Sequence, residues 1–233
     1  MDDAEIDRLL YHDGYRMARE QLEKDLSVLT FTGAVRRLYR SVDGLLDSFR
    51  NRSAAEGKPV ACKRGCHWCC YQAVFAATHE LLFIREYVVN SFSGDQQEEF
   101  YKRSRRKAGM TLKKPVRELS RVREACPFLD QGNCLIYEAR PMACRIYLSS
   151  SVESCEREFR DPGNREHIPE LFRFPLQAGR MLNEGFVAFL KQLGLPVAEL
   201  PLEQGYSSMI TVGQTTDSWI SNRTSTGKSS GNW

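Results

Sequence analysis

Eight cysteines lie between Cys62 and Cys155, with none before and none after. The first group reads Cys62-Lys63-Arg64-Gly65-Cys66-His67-Trp68-Cys69-Cys70, a C-x3-C-x2-C-C pattern. The second is spread over Cys126, Cys134 and Cys144, with Cys155 beyond. Thiols at this density either bind soft metal ions or oxidise to disulfides. The chain begins Met1-Asp2-Asp3-Ala4-Glu5, acidic where an export signal is basic, and no apolar segment follows. A cytoplasmic, reducing location is therefore expected, which favours metal ligation over a disulfide scaffold. Catalysis by a lone cysteine would not explain so many at once, and the residues leave open whether the protein is an enzyme.

Spacing limits how the first group can act. On a continuous helix, Cys62 and Cys70 would stand about 12 Å apart along the axis. Two thiolates on one zinc sit only about 3.8 Å apart, given bonds near 2.3 Å. The segment must therefore fold back at Gly65, where glycine allows positive φ, or share its cysteines with the later group. In that later group, Asp130-Gln131-Gly132-Asn133 reads as a turn between Cys126 and Cys134. Pro141 holds Arg140 extended and can start a helical turn carrying Cys144.

Four thiolates around Zn²⁺, or around a [4Fe–4S]²⁺ core, leave a net charge of roughly −2. A buried anion of that kind needs cations or donors beside it. Arg140 and Arg145 flank Cys144 and are expected to supply them, as groups beside the centre rather than ligands. Lys63 and Arg64 read as solvated charges, and His67 as a neighbour of the site or a surface group. Trp68 is expected to shield the site from water. The adjacent Cys69-Cys70 pair and the eight-thiol inventory suit an iron–sulfur cluster, or two separate centres, better than one closed zinc site.

The first group, followed by C-P-x-L and G-x-C-x-I-Y-x-x-R-P-x-x-C-R-x-Y ending at Tyr147, resembles the YkgJ-like cysteine-cluster family of zinc- or iron-chelating proteins. The resemblance covers roughly residues 60–155. It implies metal ligation by Cys62, Cys66, Cys69, Cys70, Cys126, Cys134 and Cys144; Cys155 joins the candidates although its spacing lies outside the core motif. A more distant similarity to FliB-type lysine N-methylases would imply S-adenosylmethionine and iron–sulfur chemistry. The chain departs from it: no G-x-G-x-x-G loop follows a strand, and Cys70 directly follows Cys69. The cofactor expected is thus an iron–sulfur cluster or zinc. The role expected is redox chemistry or modification of a protein or peptide, with a structural zinc adaptor or a flagellin-lysine-methylase-like enzyme as the alternatives.

The elements around these cysteines read as mainly α. Val35, Leu38, Tyr39, Val42, Leu45, Leu46 and Phe49 mark one face of a helix that Thr30 or Thr32 could cap. Gly57 with Pro59 would end it. Leu22, Leu26 and Leu29 mark an earlier helix. Further helices are expected at 78–91 with Thr78 as cap, at 95–107 and 111–124 with a break near Gly109, and at 175–193. Residues 213–233, rich in Ser, Thr, Gly and Asn, read as a loose tail, and strands are hard to find. The organisation expected is N-terminal helices at 1–59, a metal-binding core at 60–160, a helical segment at 161–212 and the tail. Residues 60–212 would form one domain with the N-terminal helices.

Hydrophobic residues make up 42% of the 233, enough for a folded core. No run is long and apolar enough for a membrane span. The 33 basic and 30 acidic residues nearly cancel, so nothing marks a dedicated nucleic-acid binder. The one basic patch, Lys102, Arg103, Arg105, Arg106, Lys107, Lys113 and Lys114, reads as a solvated helix face. His12, His79 and His167 stand alone and read as structural. A phosphate-binding loop, an H-E-x-x-H motif and a G-x-S-x-G turn are all absent from the sequence.

Overall fold

The computed structural model describes residues 2–164 and 166–224, and the chain is mainly helical, as expected. Ten α-helices occur among the described residues. Helix α1, Asp3–Leu22, starts at Asp2, whose side chain accepts from the Glu5 amide while Glu5 reaches back. Helix α2, Val28–Ala55, carries the expected stripe: Val35, Leu38, Tyr39, Val42 and Leu46 are buried. Its cap is Ser27, and Thr30 is the reciprocating partner in the capping box rather than the cap itself. Leu29, expected on the apolar side of the first helix, instead opens α2 and is 80% exposed.

Helix α3, Thr78–Ser91, has Ala77 at its cap position. Thr78 is its first helical residue and ties the helix to the chain at Ala198. The Glu80 carboxylate satisfies the Ala77 amide at 2.9 Å. Helix α4, Gly94–Thr111, runs straight through Gly109, so the expected break does not occur there. A single glycine costs only about 1 kcal/mol against alanine, whereas Pro115 does interrupt the chain and starts the short α5, Val116–Leu119. Little else of the helix expected at 111–124 forms.

The cysteine-bearing segment ends with two short helices, α6, Met142–Ile146, and α7, Val152–Arg160. Helix α8, Arg173–Gln192, follows and lies along α1. The helices approach closely because each presents a glycine: a Cβ on Gly14 would come 1.9 Å from the Leu182 carbonyl oxygen, and one on Gly185 equally near that of Tyr11. Helix α9, Leu202–Thr211, packs on α4. Helix α10, Thr216–Ser221, falls where a loose tail was expected. It buries Trp219 against Phe31 and donates the indole N–H to the Pro196 carbonyl at 2.8 Å. Residues 225–233 of that expected tail lie outside the described residues.

Four short strands among the described residues, not expected from sequence, complete the frame. Strand β1, Phe75–Ala77, pairs antiparallel with β4, Glu199–Pro201, setting Phe75 opposite Pro201. Strands β2, Leu129–Asp130, and β3, Asn133–Cys134, form a hairpin. Both turn residues, Gln131 and Gly132, have positive φ (44° and 78°), as a tight two-residue hairpin requires. Among the described residues no helix is long and apolar enough to cross a membrane.

Candidate metal centre

The two cysteine groups meet. Gly65 adopts a φ of +86°, and the Cys66 amide donates to the Lys63 carbonyl at 3.0 Å, so the first segment folds back where expected. A 3₁₀ turn, Trp68–Tyr71, then carries Cys69 and Cys70. The Cys126 amide donates to the Cys70 carbonyl at 2.8 Å, which joins the segments. Cys134 sits on β3, Cys144 on α6 and Cys155 on α7. Seven of the eight, all but Cys155, line one cavity of about 310 Å³, together with Arg50, Arg140, Arg145 and Tyr147.

Every cysteine is free rather than joined in a disulfide. Among the described residues no three Cys, His, Asp or Glu side chains already close on a common point that could hold an ion. The donor chemistry nonetheless fits one: free thiols from distant segments share a cavity, and soft sulfur donors suit zinc and iron–sulfur clusters.

Burial dominates the electrostatics. Desolvation pushes the thiols of Cys62, Cys66, Cys134, Cys144 and Cys155 upward, and that of Cys126 up to about 12. Cys69 and Cys70 split: they hydrogen-bond to each other, which lowers Cys69 and raises Cys70. Thus Cys69 holds its proton least tightly relative to an ordinary thiol, and Cys70 acts as its donor. The Tyr147 phenol, desolvated on the cavity wall, is also pushed up, to about 12.

The cations around the thiols divide by partner. Arg140 lies 3.7 Å over the Tyr137 ring and 4.0 Å from Asp43, and its Nε has no hydrogen-bond partner among the described residues. Its charge favours the thiolates of Cys69, Cys134 and Cys144. Arg145 is more fully engaged: it donates to Asp43 at 2.6 Å, to the Arg140 carbonyl at 3.0 Å and to the Glu138 carbonyl. Its guanidinium also covers the Tyr39 ring at 4.0 Å. Lys63 and Arg64 are exposed. His67 donates from Nδ1 to the Gly65 carbonyl at 3.1 Å and stacks on Trp68, which in turn packs on Phe159.

Three neighbours of the thiols escaped the sequence reading. Arg50 donates to the Cys62 carbonyl at 3.2 Å. The Ser149 amide donates to the Cys62 sulfur at 3.2 Å, and the Ser149 side chain hydrogen-bonds Cys155. Lys107, taken with the basic patch as solvated, is buried; its ammonium donates to the Gln72 carbonyl at 3.4 Å and favours the Cys126 thiolate. The signal for Lys107 was present: Phe100, Ser104, Lys107 and Thr111 recur at helical spacing, and all four are buried. Its neighbours Lys102, Arg105, Arg106, Lys113 and Lys114 are exposed.

No curated protein and no solved structure matches the chain. Residues 61–165 match the model of the CxxCxxCC family, described as a "Putative zinc- or iron-chelating domain". The family title places two residues between its first two cysteines, and this chain places three, Lys63, Arg64 and Gly65. The cysteine-bearing part of this chain is therefore similar to a zinc- or iron-chelating domain, and the match begins at the residue before Cys62 and ends beyond α7.

Proposed function

We propose that this protein chelates iron or zinc through its clustered cysteines, with an iron–sulfur cluster as the favoured centre and electron transfer or redox-assisted modification of a protein as its use. One observation carries the reading: seven thiols from three stretches of chain face one cavity, beside an arginine whose Nε has no hydrogen-bond partner among the described residues. Thiols pushed up by burial are poor anions on their own, and a bound cation reverses that by replacing their protons. An iron–sulfur cluster would be held by these thiolates and would supply one-electron chemistry. The chain's own part is to exclude water and to hold Arg140 and Lys107 against the negative charge.

The deciding measurement is metal and acid-labile sulfide content after anaerobic purification. A brown protein containing iron and sulfide supports the redox reading. A colourless, zinc-only protein supports a structural zinc module instead, and absence of both metals removes the chelation reading. Replacing Cys66 or Cys134 by serine is expected to lower the metal content and the melting temperature together, because metal binding and folding are coupled. Unchanged metal in both variants would sink the assignment of these residues as ligands.

A further inference from the structure

We infer that the surface formed by the end of α4, the loop after it and α5 docks on an anionic lipid bilayer, with Leu112 and Val116 entering the apolar layer and Lys113, Lys114 and Arg117 meeting the headgroups. The inference rests on this surface alone and stands whether or not the cysteines hold metal.

A solvated helix face, the reading that the basic residues alone support, does not account for the apolar residues among them. Leu112-Lys113-Lys114-Pro115-Val116-Arg117 is exposed at every position. Leu112 is 68% exposed, Val116 69% and the nearby Met110 44%. Single exposed apolar residues are ordinary, but a cluster rimmed by charge marks an interaction surface.

The exposure is built into the backbone. The Leu112 amide donates to the Ala108 carbonyl at 2.8 Å, that of Lys114 to Thr111 at 3.1 Å and that of Glu118 to Pro115 at 2.8 Å. Both ends of the stretch are anchored in the interior: the Thr111 hydroxyl donates to the buried Glu203 carboxylate at 2.9 Å, and Leu119 is buried. The chain thus turns Thr111 and Leu119 inward and holds Leu112 and Val116 outward.

Charge selects the occupant. From 102 to 121 the sequence has nine basic residues and one acid, Glu118. Along α4 the cations are neutralised, Lys102 by Glu98, Arg103 by Glu99 and Arg106 by Glu124. Among the described residues no carboxylate pairs with Lys113, Lys114, Arg117 or Arg121. The uncompensated charge therefore falls in the same stretch as the exposed apolar side chains, and its partner is anionic.

Composition distinguishes a bilayer from other anions. Surfaces for single-stranded RNA stack bases on aromatic rings, and protein interfaces centre on aromatic anchors seated in pockets. The stretch from Gly109 to Arg121 has no aromatic residue. Protruding aliphatic side chains need no matching pocket in a fluid acyl layer, and lysine ammonium groups on long stems reach the headgroups above it. Apolar insertion and a basic cluster are each weak, and together they give reversible surface binding. Val116 and Leu119 also line a cavity of about 250 Å³. Gln72, Ala73, Phe75 and Tyr147 line it too, and all four are shared with the cavity of the thiols. Docking here turns the cysteine-bearing side of the protein toward the membrane.

Vesicles serve as the probe. The full chain is mixed with vesicles of phosphatidylcholine alone, or of equal parts phosphatidylcholine and phosphatidylserine, and the bound fraction is read by sedimentation. Binding is expected only to the mixed vesicles. It should fall steeply between about 0.1 M and about 1 M salt, where the Debye length shrinks from about 10 Å to about 3 Å. K113Q/K114Q should weaken it by about 10- to 30-fold, and L112S/V116S by about 10-fold or more. The control pair R8Q/K24Q, an equal charge change at exposed positions on and after α1, should bind as the parent does. The tryptophan of L112W should shift its emission to the blue on mixed vesicles and be quenched by lipids brominated along their acyl chains. Equal binding to both vesicle types, equal loss in the control pair, or a tryptophan at 112 that stays in water overturns the inference. So does tighter binding of polyuridylate RNA or of soluble polyglutamate that K113Q/K114Q abolishes, which would give the surface to nucleic acid or to an acidic protein. The lipid preference of the parent chain and the emission of L112W decide even where a serine variant fails to fold.

Discussion

Lys107 brings a charge into the protein with one carbonyl as its hydrogen-bond acceptor among the described residues, and the thiolate that metal binding would create at Cys126 offsets it. Replacing it with methionine keeps the stem and removes the charge. The metal-free protein should be as stable as before or more so, whereas metal affinity should fall by about 10- to 100-fold, the usual range for groups supporting a metal site. Chelator competition, with thermal unfolding in both states, checks the opposite signs; a variant destabilised equally with and without metal would assign Lys107 to packing alone. Arg140→Ala should show the same pattern through Cys69, Cys134 and Cys144. Wild-type affinity in that variant would return Arg140 to its contact with Tyr137. At this scale the sequence displays which residue types can do chemistry, but not which of them are buried. Arg140 was legible from its place beside Pro141 and Cys144, whereas Lys107 was hidden among six other basic residues of its patch.

The elements that fix the site are held by close backbone contacts. Gly14 on α1 and Gly185 on α8 each touch the carbonyl of the opposite helix, so a methyl group at either must push the helices apart. Gly14→Ala and Gly185→Ala are each expected to cost about 1–3 kcal/mol, in the range of overpacked interiors. The double variant should cost less than the sum, since both relieve one interface. Chemical denaturation of the three variants measures this, and additive losses would mean that the helices yield independently at the two points. The long helices were legible because their apolar stripes run over several turns, as from Val35 to Phe49 on α2. The strands were not, because segments of two or three residues show no usable alternation. Helix α7 was missed because its buried side offers only Ser154 and Cys155, neither of which reads as an apolar stripe.

Across the whole molecule, burial makes stability depend on pH in opposite senses for two residues. Cys126 is raised from 9.0 to about 12, so folding favours its protonated form. In the metal-free protein that contribution is complete below pH 9, and it is lost as pH rises through about 12. His79 is lowered by burial, so its neutral form is favoured, with Nε2 3.1 Å from Asn183. Its contribution is complete above the ordinary value of 6.5 and is lost as pH falls through its lowered folded value. The metal-free chain should therefore lose stability at both ends of a denaturation series from pH 5 to 11. Zinc should remove the alkaline loss and be displaced by acid, since protons compete for the same sulfurs. An alkaline limb unchanged by zinc would count against Cys126 as a ligand. The overall helical character was legible from composition and periodicity, whereas the closure of the frame by contacts between distant residues was not.

That closure has a consequence for biosynthesis. The partner of β1 is β4, and the partner of α1 is α8, so a ribosome delivers every thiol before it delivers the elements that complete the walls. At roughly 5–20 residues per second, the stretch from Cys155 to β4 takes several seconds to emerge. During that interval a nascent chain offers reduced sulfur to dissolved oxygen and to any competing ion, so the order of translation makes early metallation a race against oxidation.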